Sequence, residues 1–446
     1  MEDRFQEVFG APPTWRLRAP ARINILGEHI DYVDYLPTAA LTFGSQEQAM
    51  TMSVRPNGTR QVRGHSTDAR FPPATFALHP DLPGMDWLRF LEAEPPPASH
   101  WINYVQGAVY RAQARLDVAQ GFDFLVDSQI PAAGGASSSS ALTVLAGAAV
   151  RLVNGQTVTL KPLARVSAEA EWYVGTRGGA MDHLTICLAR PHQGLHLDFA
   201  AGTATRLALP PACWLTAFTH PAHKGDAVQR AYNARVTATR LFIPALLDHF
   251  FQQEPARHQA WQEGLERWRQ GDGEALSTLA ETLAVGLPPE RTAATVQPRP
   301  GEAQNSTDTP LPVGAYAAHH MGEVLRVETA RRLLQAMARQ TLPEEAVRQD
   351  LGRLMDESHA SLRDRYGVST PDVETARSVL TAQPGVYGAR LMGAGFGGNV
   401  MALVHPDAIM SVIENLKKQY YEPQGRDGLA EGAIRVSTPG AGLTWR

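Results

Sequence analysis

The stretch that most constrains this 446-residue chain runs from Gly121 to about Leu152. It opens with a short apolar strand, Gly121-Phe122-Asp123-Phe124-Leu125-Val126, and passes through Ile130-Pro131 into a loop crowded with glycine and serine. A long apolar helix is predicted from about Ser138 to Leu152. Strand, glycine-rich loop and helix in this order present backbone N–H groups to an anion. The glycines of Pro131–Ala141 let the backbone approach a ligand closely, and the serines place hydroxyls at a helix start. The loop therefore suits a polyphosphate with its magnesium ion. A flexible serine-rich linker would not lie between a proline-capped strand and a strongly apolar helix.

Lysine usage narrows the phosphate chemistry. Only Lys161, Lys224, Lys417 and Lys418 occur, and none sits in a G-x-x-x-x-G-K-[ST] run or a V-A-I-K strand. A Walker P-loop and a protein-kinase fold are thereby excluded. With 41 basic against 45 acidic residues, net −4, and no basic block, a nucleic-acid partner is not expected. Hydrophobic residues at 43% and charged residues at 19% exclude a disordered chain. The length suggests two or three domains at roughly 100–200 residues each. Cys187 and Cys213 cannot build a disulfide framework or a zinc cluster and read as small buried residues. The opening MEDRFQEVFG has no apolar signal region. The longest apolar stretch, Ala141–Val153, is interrupted by Arg151 and is too short to span a bilayer. A soluble, cytoplasmic protein without a membrane partner is expected.

Along the chain, Trp15–Ala19 and Ile23–Leu26 read as two strand segments separated at Pro20, with further strand-like alternation over 45–80 broken at Pro56-Asn57-Gly58. Trp101–Leu116 is helical in period. Residues 226–282 read as two or three amphipathic helices, 297–313 as a polar, proline-rich loop, and 314–340 and 344–366 as helices. Tyr387–Leu391 and Asn399–Val404 read as two strands joined by a glycine cluster. A domain boundary is expected near 205–215.

Three further segments carry chemistry. Gly27-Glu28-His29-Ile30-Asp31-Tyr32 follows an apolar strand, and its three polar groups in five residues point to a hydroxyl-rich ligand, with an Asx-type turn on a charged surface as the alternative. Gly175-Thr176-Arg177-Gly178-Gly179-Ala180-Met181-Asp182 delivers one carboxylate into a helix start, a position where an aspartate is more often a cap than a catalyst. Gly393-Ala394-Gly395-Phe396-Gly397-Gly398 is dense enough in glycine to require close approach to a ligand or another segment.

Taken together, these segments resemble the motifs of the GHMP kinase superfamily, most closely its galactokinase branch. Ala19-Pro20-Ala21-Arg22-Ile23-Asn24-Ile25-Leu26-Gly27-Glu28-His29-Ile30-Asp31-Tyr32 is similar to A-P-G-R-V-N-L-I-G-E-H-T-D-Y, and Trp101-Ile102-Asn103-Tyr104-Val105-Gln106-Gly107 to W-x-N-Y-V-K-G. The stretch Gly352–Gly398 follows the same family, and the resemblance covers nearly the whole chain.

The resemblance implies an α+β fold of two domains, here 1–205 and 206–446, with the active site in the interdomain cleft. It implies an ATP- and magnesium-dependent sugar 1-kinase acting on galactose or a related sugar. Gly134, Gly135, Ser137, Ser138, Ser139 and Ser140 would bind ATP. Asp182 and Arg22 would be catalytic. Glu28, His29, Asp31, Gly179 and Tyr232 would contact the sugar. Ser139 and a glutamate would hold magnesium; Ala170 occupies the position where that glutamate is usual, so Glu171 or Glu169 must substitute, with Glu171 favoured. A monomer or weak homo-oligomer is expected.

The chain also departs from the pattern. Asp31-Tyr32-Val33-Asp34-Tyr35-Leu36-Pro37 is two residues shorter than D-Y-N-D/E-G-F-V-L-P, so Tyr35 would either leave the sugar pocket open or lie across its rim. His183 stands for the usual glutamine after the catalytic aspartate, Ala133 for a glycine, and Met392 and Ala394 for threonine and glycine. Three alternatives remain: a catalytically silent sugar and ATP sensor, a kinase or decarboxylase for an isoprenoid-type acid, and a kinase for arabinose, an amino sugar or another hexose. Retention of Arg22, Ser139 and Asp182 argues against the first, and Glu28, His29 and Asp31 against the second.

Overall fold

The computed structural model describes residues 1–82, 84–96, 100–131, 134–221, 226–288 and 310–446. Ala132 and Ala133 of the glycine-serine loop, Lys224, and most of the polar stretch 297–313 lie outside the described residues. The chain divides into two compact units, each assembled from separate pieces of sequence.

The first unit comprises Met1–Ile23, Phe43–Gln193 and Thr438–Arg446. Its strands are β1 (Trp15–Leu26), β2 (Ala39–Pro56), β3 (Gln61–Ser66), β4 (Ala74–Ala77) and β5 (Phe122–Ser128), and a terminal strand, Thr444–Trp445, completes the sheet. The order is terminal strand–β1–β2–β5–β3–β4. β1 is one continuous strand rather than the expected pair. The terminal strand pairs with it only at Leu17 and Arg18, so the N–H that Pro20 lacks is not needed on that side. The helix Ser138–Val153 is apolar on every face and is buried along almost its whole length, as a helix without a polar face must be.

The second unit comprises Asn24–Thr42 and Gly194–Ser437. β6 (Gln193–Asp198) pairs with the Ala39–Thr42 end of β2 and with β7 (Thr203–Ala208). A separate antiparallel sheet contains β8 (Cys213–Phe218), β9 (Val386–Met392), β10 (Asn399–Val404) and β11 (Ile434–Ser437), in the order β11–β8–β10–β9. The region expected to hold two or three helices forms Asp226–Thr237, Ile243–Gln253, Pro255–Arg269 and Ala275–Gly286, the first two joined through a π-helical turn. Two long helices, Val313–Ala338 and Glu344–Asp364, follow as expected. The glycine cluster between β9 and β10 serves packing within this unit: a Cβ at Gly395 would lie 2.6 Å from the Val368 carbonyl oxygen.

This division differs from the single cut expected at 205/206. The reason is that β1 and β2 are long enough to belong to both units, so the segment between them joins the later half of the chain. The last nine residues return to the first unit by pairing with β1. Among the described residues, no helix is long and apolar enough to cross a membrane.

Candidate active site

In the first unit the glycine-serine loop meets Arg22 and Asp182. The backbone N–H of Arg22 donates to the Ala136 carbonyl, and its guanidinium reaches the Gly135 carbonyl at 3.1 Å. Arg22 Nε also lies 2.6 Å from Asp182 Oδ1, in a pair whose arginine is buried and whose aspartate side chain is 26% exposed. Ser137 takes a left-handed backbone, φ 62°, at the cap position of the helix Ser138–Val153. A serine there ordinarily caps its own helix. Here it makes no such bond and donates instead to Asp182 Oδ2 at 2.5 Å.

Each oxygen of Asp182 thus has its own partner, and the residue occupies the first turn of the helix Met181–Leu188, where a negative charge is favoured. Burial alone would raise its pKa. The Arg22 guanidinium, the Ser137 hydroxyl and the neighbouring His183 outweigh burial and hold the carboxyl below its ordinary value. Asp182 is an anion at neutral pH with one face open.

Around this anion the phosphate-loop residues are graded in exposure. Gly134, Ser137 and Ser140 are buried, whereas Gly135, Ser138 and Ser139 are half-buried. Gly179 is half-buried in the turn before the helix of Asp182. The two glutamates proposed for magnesium separate clearly. Arg111 Nε lies 2.8 Å from Glu169 Oε2, with Arg115 at 3.6 Å, so Glu169 is already neutralised. Glu171 begins a 3₁₀ turn after the helix Leu160–Ala170, with its Oε1 buried and without a hydrogen-bond partner among the described residues. Ala170 itself is buried. A hard cation takes oxygen ligands, and Glu171 with the half-buried Ser139 hydroxyl supplies that donor type. Among the described residues, no group of three or more acidic, histidine or cysteine side chains forms a metal cluster of its own.

The sugar motif lies in the second unit and is built differently. Glu28 Oε2 is 2.6 Å from the Arg390 guanidinium, both side chains being buried, and it also accepts from the Gly393 N–H at 2.9 Å. Arg390 in turn donates to the Ile25 carbonyl. Gly27 donates to Glu323 Oε2 at 2.9 Å; it has φ 96°, and a Cβ there would lie 2.7 Å from the Ala39 carbonyl oxygen. The Glu28 carbonyl lies 3.1 Å from His319 Nε2, while His319 Nδ1 lies 2.9 Å from the Ser361 hydroxyl. The motif is therefore clamped through its backbone and through one carboxylate oxygen.

His29 Nδ1 bonds to the Tyr32 hydroxyl at 3.0 Å, and that hydroxyl bonds to Tyr366 at 2.9 Å. His29 Nε2 has no hydrogen-bond partner among the described residues. The ring of Tyr232 lies 5.9 Å from that of His29 and 6.3 Å from that of Tyr32. Asp31 is half-buried beside them in sequence. Tyr35 of the shortened loop is anchored by its hydroxyl to His320 Nδ1 at 2.5 Å, and so is tied to the helix Val313–Ala338. Burial pushes His319 down to about 4 and holds His29 and His320 well below the ordinary histidine value.

The expected residues thus form two groups. Arg22, Gly135, Ser137 and Asp182 meet in the first unit, and Glu28, His29 and Tyr232 gather with Tyr32 and Tyr366 in the second. Sequence reading missed three features: the role of Ser137 as a partner of Asp182, the Arg390 counterion of Glu28, and the His320 anchor of Tyr35. Only the first had a local signal, a serine at a helix start.

The model of the GHMP kinases N terminal domain matches residues 103–190, that of the GHMP kinases C terminal region residues 344–422, and the galactokinase galactose-binding signature residues 3–41. A galactokinase of Roseiflexus sp. is 29% identical over 96% of this chain and 92% of its own length. A galactokinase of Chloroflexus aurantiacus is 27% identical over 99% and 95%. The Lactococcus lactis galactokinase solved with galactose shares the fold at a TM-score of 0.72 and 24% identity, covering 99% of this chain and 98% of that one. Along its length the chain thus carries matches to the GHMP kinase N terminal and C terminal models and to the galactokinase galactose-binding signature, and it is similar to galactokinases over nearly its whole length.

Proposed function

We propose that the protein is an ATP-dependent galactose 1-kinase. The anomeric hydroxyl oxygen of the sugar attacks the γ-phosphorus, the bond from that phosphorus to the ADP oxygen breaks, and the hydroxyl proton is released. The observation that carries this reading is Asp182, held as an anion between Arg22 and Ser137 at the edge of the phosphate loop. An aspartate kept below its ordinary pKa is a weak proton acceptor. It acts chiefly by orienting the attacking hydroxyl through a charged hydrogen bond, which suits a reaction governed by positioning and electrostatics. Arg22 offsets charge on the transferring group as well as on Asp182.

Gly134, Gly135 and Ser137–Ser140 would hold the phosphates. Ser139 and Glu171 would hold magnesium, which when bound neutralises phosphate charge. On the sugar side His29 Nε2, Asp31, Tyr232 and Gly179 read the hydroxyls. Glu28 adds its remaining oxygen, because Oε2 is taken by Arg390 and Gly393. The same reading makes sugar and ATP the partners of a cytoplasmic monomer or weak homo-oligomer, without nucleic acid or membrane.

The test is ADP release with a panel of monosaccharides, followed by phosphorus NMR of the product. Galactose is expected to stimulate release most and to yield the 1-phosphate. A 6-phosphate product would overturn the anomeric assignment, and the 1-phosphate of another sugar would overturn only the substrate.

A further inference from the structure

We propose that His183 is a positioning residue for the carboxylate of Glu171, an inference that rests on the reading of Glu171 as a magnesium ligand. His183 follows Asp182 on the helix Met181–Leu188, and its side chain is 2% exposed. Its Nε2 lies 3.5 Å from Glu171 Oε1, and the Glu171 side chain is 12% exposed. Neither imidazole nitrogen, nor that carboxylate oxygen, has a hydrogen-bond partner among the described residues.

Buried polar atoms are rarely left without partners unless they serve a ligand or a mechanism. Among the described residues no hydrogen bond competes for these three atoms, so the imidazole sets the place of Oε1. The position of the imidazole is itself set by its neighbour. Asp182 is pinned by Arg22 and Ser137, and one residue later on the same helical turn His183 extends that rigidity to a glutamate at the start of a 3₁₀ turn. Both partners stand where the sequence departs from the resembled pattern, histidine for glutamine and a glutamate one position late, and the structure places the two departures in contact. They act as one unit: the displaced carboxylate is aimed by the replaced side chain. An arrangement in which an outer group orients a ligating carboxylate typically changes metal affinity when that group is removed.

The experiment measures binding of a fluorescent ATP analogue without sugar, titrated with magnesium chloride and repeated in EDTA. His183→Phe keeps the ring and removes both nitrogens. It is expected to raise the half-saturating magnesium concentration roughly 10-fold, with affinity in EDTA unchanged. His183→Ala should do the same, and His183→Gln, which retains an N–H donor, should recover most of the loss. In a Glu171→Gln background, His183→Phe should add nothing further. If Glu171→Gln raises the magnesium requirement while neither His183→Phe nor His183→Ala does, the positioning role is overturned and the magnesium reading stands. If Glu171→Gln has no effect either, the magnesium reading falls, and this proposal with it.

Discussion

The phosphate-side centre and the sugar motif use the same chemical types, arginine, carboxylate and hydroxyl, in opposite ways. In the first unit Asp182 is fixed by Arg22 and Ser137 yet keeps a quarter of its side chain exposed. In the second, Glu28 and Arg390 are both buried, and the motif is further held by Glu323 and His319. A partly exposed, doubly anchored carboxylate is prepared to meet a substrate, whereas a fully buried ion pair is prepared to hold a loop. The motif is therefore in large part architecture.

The sharpest way to break this contrast is Asp182→Asn. It should lower kcat by about 10²–10⁴-fold and leave nucleotide affinity nearly unchanged. Turnover close to normal would remove Asp182 from the chemistry. On the other side, Arg390→Met should lower stability by about 3–5 kcal/mol, because it strands the buried Glu28 charge. The double variant Arg390→Met with Glu28→Gln should recover part of that loss. A single variant as stable as the parent would mean that the pair is solvated rather than architectural.

A smaller effect separates the units by pH. The folded pKa of His319, about 4, lies below the ordinary value of 6.5, and His29 and His320 shift in the same direction. Between those values the unfolded chain binds protons that the folded one does not, so stability rises with pH and is lost on acidification from about 6.5 downward. Each imidazole contributes on the order of 1 kcal/mol per pH unit within that window. Asp182 is depressed instead, so its contribution persists above the ordinary carboxylate value and fades only as the pH falls through its lower folded value. A urea midpoint that falls between pH 6.5 and 5 is the expected result; a flat one would show that water reaches the imidazoles.

The helix Ser138–Val153, the loop before it and the aspartate opening the next helix were legible because each is a local signal: a strand, a glycine-serine run and an apolar helix lie within a few dozen residues. The motif resemblance likewise marked Arg22, Glu28 and His29 as site residues, since those stretches are short and contiguous. The boundary was not legible, because β1 and β2 each serve two units and no change of composition marks the crossing.

Sequence alone thus singled out Arg22, Glu28, His29 and Asp182 as candidates and placed them near a glycine-serine loop, at a helix start and on a polar turn. Tertiary structure decided how each is used. It gave Asp182 its two anchors, one of them 160 residues away, and gave Glu28 a counterion 362 residues away. It also turned Tyr35 toward His320 and paired Glu169 with Arg111, while Glu171 Oε1 is left without a hydrogen-bond partner among the described residues. Such choices depend on which charges share a buried volume, and burial is set by chain segments that no local pattern brings together.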